Sequence, residues 1–146
     1  MRCKLVFSLV LLLVLLPVYA NAAVARNLSP QEAYAMVGQR GDLFLLDVRT
    51  PGEYQQVRLD GARLIPIDQF AKRLAEVPKD RPVLVYCAVG SRSAQVVNYL
   101  ARKGYPEIYN LYGGIYAWSQ KGLPVLQGGP SGGARCEVCG TRKVKR

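Results

Sequence analysis

The chain of 146 residues contains no histidine. This absence excludes Cys–His and Ser–His nucleophile pairs, and it excludes metal sites that depend on imidazole ligands. A reactive cysteine in this chain must therefore be activated by backbone dipoles or by Arg and Lys side chains. Acidic residues are also scarce, with 10 Asp and Glu against 20 Lys and Arg, which gives a net charge of +10.

Much of the positive charge lies near the C-terminus, where residues 130–146 carry five Lys or Arg and a single Glu. A basic tail of this kind is able to contact nucleic acid, acidic lipid or an acidic protein. It lacks the interleaved aromatic side chains on which bases stack. We therefore expect a solvated tail and no nucleic-acid partner.

The longest apolar run, Leu5–Leu16, is too short to cross a membrane as a helix. Twelve helical residues span about 18 Å, less than the ~30 Å of the hydrocarbon core. The run is flanked as in a secretory signal, by Arg2 and Lys4 before it and by Pro17 and Ala20-Asn21-Ala22 after it. We expect a signal peptide over residues 1–22 and an exported, periplasmic protein. The alternative is an uncleaved anchor extended through Val18–Ala25, the one case in which the membrane is a partner.

Strand and helix patterns alternate along the middle of the chain. Because β-branched runs are separated by helical periods, we expect an α/β fold with a parallel sheet and helices on both faces. Ser29 and Thr50 precede Pro30 and Pro51 as predicted helix caps. The predicted strands are Val24–Leu28, Leu43–Val48, Ala62–Ile65, Val83–Tyr86 and Ile108–Tyr112. The longer predicted helices are Ile67–Val77, Ser93 to about Arg102, and Ile115–Gln120.

One strand ends in a cysteine. The apolar run Val83–Tyr86 stops at Cys87, a short loop follows, and a helical pattern opens at Ser93. A lone cysteine at a strand end is more often a small buried hydrophobe. Here the free N–H groups and positive dipole end of the next helix favour a thiolate with a lowered pKa. Asp47 also falls at the carboxyl end of a predicted strand, where the reactive site of such sheets lies, and its carboxylate is able to accept hydrogen bonds from the loop N–H groups.

The chain from about Asn27 to Pro124 resembles the single-domain rhodaneses, which are sulfurtransferases. The resemblance rests on three segments in order: Asp47-Val48-Arg49-Thr50-Pro51 with Glu53-Tyr54, Cys87-Ala88-Val89-Gly90-Ser91-Arg92-Ser93, and Leu111-Tyr112-Gly113-Gly114 with Trp118 and Gly122-Leu123-Pro124. The signal peptide adds a likeness to exported rhodaneses of the phage-shock type. We therefore predict a signal peptide (1–22), a rhodanese-like domain (23–126), and a Gly-rich linker with a basic CxxC tail (127–146).

The resemblance implies a persulfide mechanism without a cofactor. The Cys87 thiolate would attack the outer sulfur of a thiosulfate-like donor and pass the sulfur to cyanide or a thiol, which includes a protein thiol as partner. The persulfide would lie among the N–H groups of the loop formed by Ala88, Val89, Gly90, Ser91, Arg92 and Ser93. A non-catalytic sulfur-carrier or thiol-sensing module of the same fold is the alternative.

The loop length bears on the reaction, because Arg92 follows Cys87 by five positions. In the phosphatases and arsenate reductases that this fold also resembles, the loop from cysteine to arginine is one residue longer. The shorter spacing in this chain therefore favours sulfur transfer. Arg92 is either a fixed positive charge at the rim or a solvated first-turn residue. Asp47 and Arg49 are supporting residues that the resemblance makes largely structural, although Arg49 either pairs with an acid or faces the pocket.

The chain departs from the family in two places. Val57-Arg58-Leu59-Asp60-Gly61-Ala62 stands where many members have Gly-His-Ile before Gly-Ala, and Ala88 replaces a basic residue after the cysteine. Because the second change lowers the positive charge expected at the mouth of the site, it weakens the case for thiosulfate as the physiological donor.

The pair Cys136 and Cys139 is half of a zinc-ribbon pattern, and no second pair follows, so we expect no metal site of four ligands within one chain. Three roles remain open for this pair. It forms a disulfide, it contributes a partial zinc site, or it accepts the persulfide sulfur from Cys87.

Overall fold

The computed structural model describes residues 24–128, and a five-stranded parallel sheet forms its centre. In chain order the seven strands are β1 (Val24–Leu28), β2 (Phe44–Asp47), β3 (Val57–Arg58), β4 (Arg63–Leu64), β5 (Val83–Tyr86), β6 (Glu107–Leu111) and β7 (Leu126–Gln127). The central sheet has the order β1-β6-β5-β2-β4, whereas β3 and β7 pair antiparallel in a separate ribbon. The order places β5, and therefore Cys87 at its end, in the middle of the sheet.

Five helices cover the sheet: α1 (Pro30–Gln39), α2 (Pro51–Gln56), α3 (Ile67–Phe70), α4 (Ser91–Arg102) and α5 (Gly114–Gln120). Alternate side chains of β5 enter two separate cores, as the two-residue period of a strand requires. Val83 and Val85 pack with α3 and α4 on one face. Leu84 and Tyr86 pack with α1 and α5 on the other. The predicted α/β fold with a parallel sheet and helices on both faces is confirmed.

The helix starts follow the capping chemistry that the sequence predicts. Ser29 caps α1 and Thr50 caps α2, each in a reciprocal capping box with the glutamate three residues later, and each followed by proline. These two predictions are confirmed.

The segment predicted as one helix over Ile67–Val77 is instead two short turns. The helix α3 ends at Phe70, and a single 3₁₀ turn covers Leu74–Glu76. Val77 is buried, and the hydroxyl of Tyr105 donates to its carbonyl oxygen at 2.9 Å. This long-range contact favours a tight turn over a continuous helix, and the local pattern does not contain it.

The helix after Cys87 begins at Ser91, two residues earlier than predicted, because Gly90 turns the chain with φ +96°. No helix within residues 24–128 is long and apolar enough to span a membrane. The predicted signal peptide and the Cys136/Cys139 pair lie outside the described residues.

Candidate active site

The side chain of Cys87 lies in the tight turn between β5 and α4 and is fully buried. The backbone N–H of Gly90 donates to its sulfur at 3.1 Å, and the hydroxyl oxygen of Ser93 lies 3.5 Å from the same atom. The sulfur is thus held between a loop amide and the first turn of α4.

Burial raises the pKa of the Cys87 thiol, but hydrogen bonds from the Ser93 hydroxyl and from the N–H groups of Ser93, Val89 and Gly90 outweigh it. The net effect holds the pKa of this thiol below its ordinary value. The donors are neutral dipoles around a sulfur anion, and such donors stabilise a thiolate without a histidine.

The loop is fixed from outside by the N-terminus of α5. The N–H groups of Ile115 and Tyr116 donate to the carbonyl oxygens of Cys87 and Ala88 at 2.9 and 3.0 Å. Gly114 permits this approach, since a Cβ atom there would lie 2.4 Å from the Ala88 oxygen. Gly114 and Gly90 both adopt positive φ, which side chains other than glycine rarely tolerate.

Arg92 is not a free cation. Its Nη1 and Nη2 atoms donate to the carboxylate of Glu53 at 3.0 and 2.6 Å, and both side chains are about one-third exposed. The hydrogen bond to Arg92, partly opposed by burial, lowers the pKa of Glu53 to about 2. Arg92 also interacts with the charge of Cys87. Of the two sequence expectations, the structure is closer to a fixed charge beside the loop than to a solvated side chain, but the carboxylate of Glu53 pairs with that charge.

Asp47 and Arg49 form a buried ion pair beside the site. The guanidinium contacts both carboxylate oxygens, at 2.6 to 3.0 Å, and Arg49 Nη2 also donates to the carbonyl oxygen of Val57 at 2.6 Å. Asp47 accepts a further bond from the N–H of Arg49, not from the Cys87 loop. Of the two predicted alternatives, Arg49 pairs with an acid.

The remaining loop residues differ in exposure. Ala88 is half-buried, Ser91 is exposed, and Val89 is 60% exposed. Cys87, Gly90, Arg92 and Ser93 are therefore brought together, whereas the side chains of Val89 and Ser91 face outward. Within residues 24–128 no group of three or more His, Cys, Asp or Glu side chains is placed to hold a metal ion.

Sequence reasoning missed two residues of this site. The motif that begins at Asp47 contains Glu53 but does not indicate that this carboxylate both caps α2 and binds Arg92. Asn110 is buried on β6 and accepts a hydrogen bond from Ser93 at 2.7 Å. The available signal for Asn110 was a polar residue inside the apolar run Ile108–Leu111.

Comparison with known proteins places this geometry in a family. The model of the rhodanese-like domain matches residues 29–121. The chain belongs to the rhodanese-like family. A sulfurtransferase of Allochromatium vinosum is 44% identical over 85 residues, which is 58% of this chain and 79% of that protein. The thiosulfate sulfurtransferase GlpE of Glaesserella parasuis is 32% identical over 102 residues, which is 70% of this chain and 94% of that one.

Solved structures of rhodanese-like proteins agree. A rhodanese-related protein of Thermoplasma volcanium superposes with a TM-score of 0.64 at 29% identity, covering 69% of this chain and 97% of that one. A thiosulfate sulfurtransferase of Pseudomonas aeruginosa gives a TM-score of 0.64 at 27% identity, covering 71% of this chain and 20% of that one. The predicted rhodanese fold is confirmed, and the family supports sulfur transfer in general terms.

The Glu53–Arg92 pair predicts a pH-dependent stability. Because the folded-state pKa of Glu53 is depressed, its stabilising effect is present above the unfolded value of 4.5 and is lost as the pH falls towards 2. Glu53→Gln should therefore be less stable than the parent at pH 6, and the difference should vanish towards pH 2. Urea unfolding across this range measures it. A difference that does not change with pH would contradict the assignment.

The buried ion pair of Asp47 and Arg49 predicts a larger loss of stability than the Glu53–Arg92 pair. Asp47→Asn leaves the guanidinium of Arg49 buried without a counter-charge, which should cost about 3–5 kcal/mol of unfolding free energy. Asp42→Asn is the matched control, since Asp42 is 57% exposed in its ion pair with Arg40, and should cost less than about 1 kcal/mol. Equal losses in urea unfolding of the two variants would refute a structural role for Asp47.

Proposed function

We propose that this protein is a sulfurtransferase in which Cys87 carries the transferred sulfur as a persulfide. The observation that supports this proposal most is that the sulfur of Cys87 accepts hydrogen bonds from loop N–H groups, which lower the pKa of the thiol. A persulfide anion needs the same donors as a thiolate, so one loop serves both states of the enzyme.

The first half-reaction needs no proton transfer. The Cys87 thiolate attacks the outer sulfur of thiosulfate, the S–S bond of the donor breaks, and sulfite leaves with the bonding electron pair. The reactants and the products both carry three negative charges, so no general base or acid is required. This fits a chain without histidine.

The second half-reaction regenerates the enzyme. A thiolate or cyanide attacks the terminal sulfur of the persulfide, and Cys87 leaves as a thiolate. The loop donors that favour the nucleophile in the first step stabilise the leaving group in the second.

The donor is an anion by this proposal. Arg92 is the charged residue of α4 at the site, and its charge interacts with that of Cys87. Because Glu53 already occupies two of its donors, the site attracts a dianion less strongly than an unpaired arginine would. Together with Ala88, this leaves a persulfide or another sulfane-sulfur donor as the physiological alternative to thiosulfate.

We further propose that the protein is exported as a rhodanese of the phage-shock type and works in the periplasm. The support is the signal pattern of residues 1–22. In that compartment thiols are oxidised unless they are maintained, so the acceptor is a thiol kept reduced by another protein or within this chain.

Cys87 is the test of the reaction. Incubation with thiosulfate should add about 32 Da, one sulfur atom, to the peptide that carries this nucleophile. Addition of cyanide should then remove the mass and yield thiocyanate. Cys87→Ser, whose folding is checked by circular dichroism, should do neither. If the parent protein shows neither the mass nor thiocyanate, the non-catalytic binding module is the correct function.

The chain's own Cys136/Cys139 pair is a candidate acceptor. The N–H of Gly128, the last described residue, donates to the carbonyl oxygen of Gln56 at 3.3 Å. Gln56 ends α2, one turn from Glu53, which binds Arg92 in the Cys87 loop. Gly128 therefore lies on the side of the domain that holds the site. A flexible linker of about nine residues has a root-mean-square reach of about 16 Å.

A sulfur relay from Cys87 to the Cys136/Cys139 pair is balanced in atoms and electrons without an external oxidant. The Cys136 thiolate takes the terminal sulfur and releases the Cys87 thiolate. Cys139 then attacks the Cys136 sulfur, which forms a Cys136–Cys139 disulfide and releases hydrosulfide. The sulfane sulfur is reduced while the two thiols are oxidised.

This relay predicts two stages in a single turnover. Protein reduced and then loaded with one sulfur should release sulfide and form the tail disulfide without added thiol. Cys139→Ser should stop with the added sulfur mass on the Cys136 peptide, and the double variant Cys136→Ser, Cys139→Ser should keep it on Cys87. Equal sulfide release from all three proteins, measured by peptide mass and a sulfide assay, would exclude the relay.

A further inference from the structure

A chain of polar side chains leads away from the reactive sulfur along the face of the sheet that α4 covers. The hydroxyl of Ser93 contacts the sulfur of Cys87 at 3.5 Å and the side-chain oxygen of Asn110 at 2.7 Å. The side-chain nitrogen of Asn110 donates to the side-chain oxygen of Asn27 at 2.8 Å. Ser93 and Asn110 are 0% and 4% exposed, whereas Asn27 lies at the surface.

The serine hydroxyl has one proton and three acceptors within reach. These are the oxygen of Asn110 at 2.7 Å, the carbonyl oxygen of Gly90 at 3.1 Å and the sulfur of Cys87 at 3.5 Å. A hydroxyl donates to only one of them at a time. The shortest contact is to Asn110, which therefore competes with the sulfur for the single proton of the Ser93 hydroxyl.

Asn27 fixes which end of the Asn110 amide faces Ser93. Since the nitrogen of Asn110 donates to Asn27, its oxygen must face the serine. An oxygen there accepts the serine proton, whereas a nitrogen would donate and turn that proton towards the sulfur. We infer that Asn110 is a positioning residue whose side-chain oxygen, held by Asn27, draws the hydroxyl proton of Ser93 away from the sulfur of Cys87.

This arrangement opposes formation of the thiolate. When the sulfur becomes an anion, Ser93 gains by donating to it, but the buried oxygen of Asn110 then loses its partner. A buried acceptor left without a donor destabilises the folded protein. The network therefore keeps the pKa of Cys87 higher than the loop N–H groups together with an uncontested Ser93 hydroxyl would set it, and it ties that pKa to the amide of Asn27 on the neighbouring strand β1.

Other ionisable groups on the surrounding elements do not explain such an effect, because they do not contact Ser93 in any hydrogen bond of the described residues. They lie on β1, α2, α4, the end of β2, β5, the turn before α5 and α5 itself, and they are Arg26, Glu53, Arg92, Asp47, Arg49, Tyr86, Tyr112 and Tyr116.

The inference rests on the proposed role of Cys87 as the reacting group, but its test does not require turnover. The rate of Cys87 alkylation by iodoacetamide, followed on the peptide that carries Cys87, rises with the thiolate fraction. The midpoint of this rate against pH reports the thiol in the full chain, even if the protein transfers no sulfur. Loss of the midpoint shift therefore refutes the role of Asn110, whereas loss of thiocyanate formation refutes the proposed function.

Asn110→Leu removes the competing acceptor at similar volume. It should lower the midpoint by about one pH unit, the scale of one hydrogen bond to a charged group. Ser93→Ala should raise the midpoint. In the double variant the effect of Asn110→Leu should disappear, since Asn110 acts only through the serine. A midpoint unchanged or raised by Asn110→Leu, or a shift that persists without Ser93, would overturn the inference.

Asn98→Leu is the matched control. Asn98 is exposed on α4 and lines the same cleft of about 170 Å³ as Asn27 and Asn110. Asn98→Leu makes the same chemical change at a side chain that does not contact Ser93. The pH midpoint of Cys87 alkylation in this variant should therefore equal that of the parent. A shift as large as that of Asn110→Leu would show a general change in the cleft and would contradict the inference.

The surface residue Asn27 gives a second route if Asn110→Leu fails to fold. Asn27→Leu releases the Asn110 amide, which is then free to turn its nitrogen towards Ser93, and the midpoint should fall. Asn27→Asp offers only acceptors, so it keeps the amide in place and should not lower the midpoint. Equal midpoints for these two variants, or a fall that survives Ser93→Ala, would overturn the proposed orientation.

Discussion

The hydrogen bonds between the start of α5 and the Cys87 loop are the constraint on which this site depends. Two N–H groups of α5 bind the carbonyl oxygens of Cys87 and Ala88, and a side chain at Gly114 would collide with those oxygens. Because the carbonyl groups are held from outside, the loop is fixed with its N–H groups on the sulfur. The rigid sheet places this turn, but a separate helix shapes it.

Neutral dipoles, more than net charge, stabilise the anion at this site. The cation nearest the sulfur, Arg92, is bound by Glu53, and the buried Arg49 is bound by Asp47. The sulfur anion is instead stabilised by backbone N–H groups and a hydroxyl. These neutral donors are fixed in the fold and do not bind other anions tightly. They therefore suit a residue that alternates between thiolate and persulfide.

The features predicted from the sequence are those set by neighbouring residues. The caps at Ser29 and Thr50, the β5 run and the turn at Cys87 are all local patterns. The pairing of Arg92 with Glu53 joins residues 39 positions apart, and β3 pairs with β7 through only two residues each. Short sequence windows do not contain such contacts. The prediction of one helix over Ile67–Val77 is wrong for the same reason, because the hydroxyl of Tyr105, which lies between α4 and β6, binds the carbonyl oxygen of Val77.

The buried polar network around Ser93 and Asn110 is unusual for a parallel strand, which normally presents apolar residues on both faces. All of its hydrogen-bonding groups within the described residues are satisfied. A leucine at position 110 would suit the apolar run of β6 and would leave the serine proton to the sulfur, so the hydrophobic pattern of the strand does not explain the asparagine. A thiol that must act as both nucleophile and leaving group is best served by an intermediate pKa, since a very low pKa weakens the nucleophile while it improves the leaving group. An acceptor that competes for a single hydroxyl proton is a simple way to set that balance.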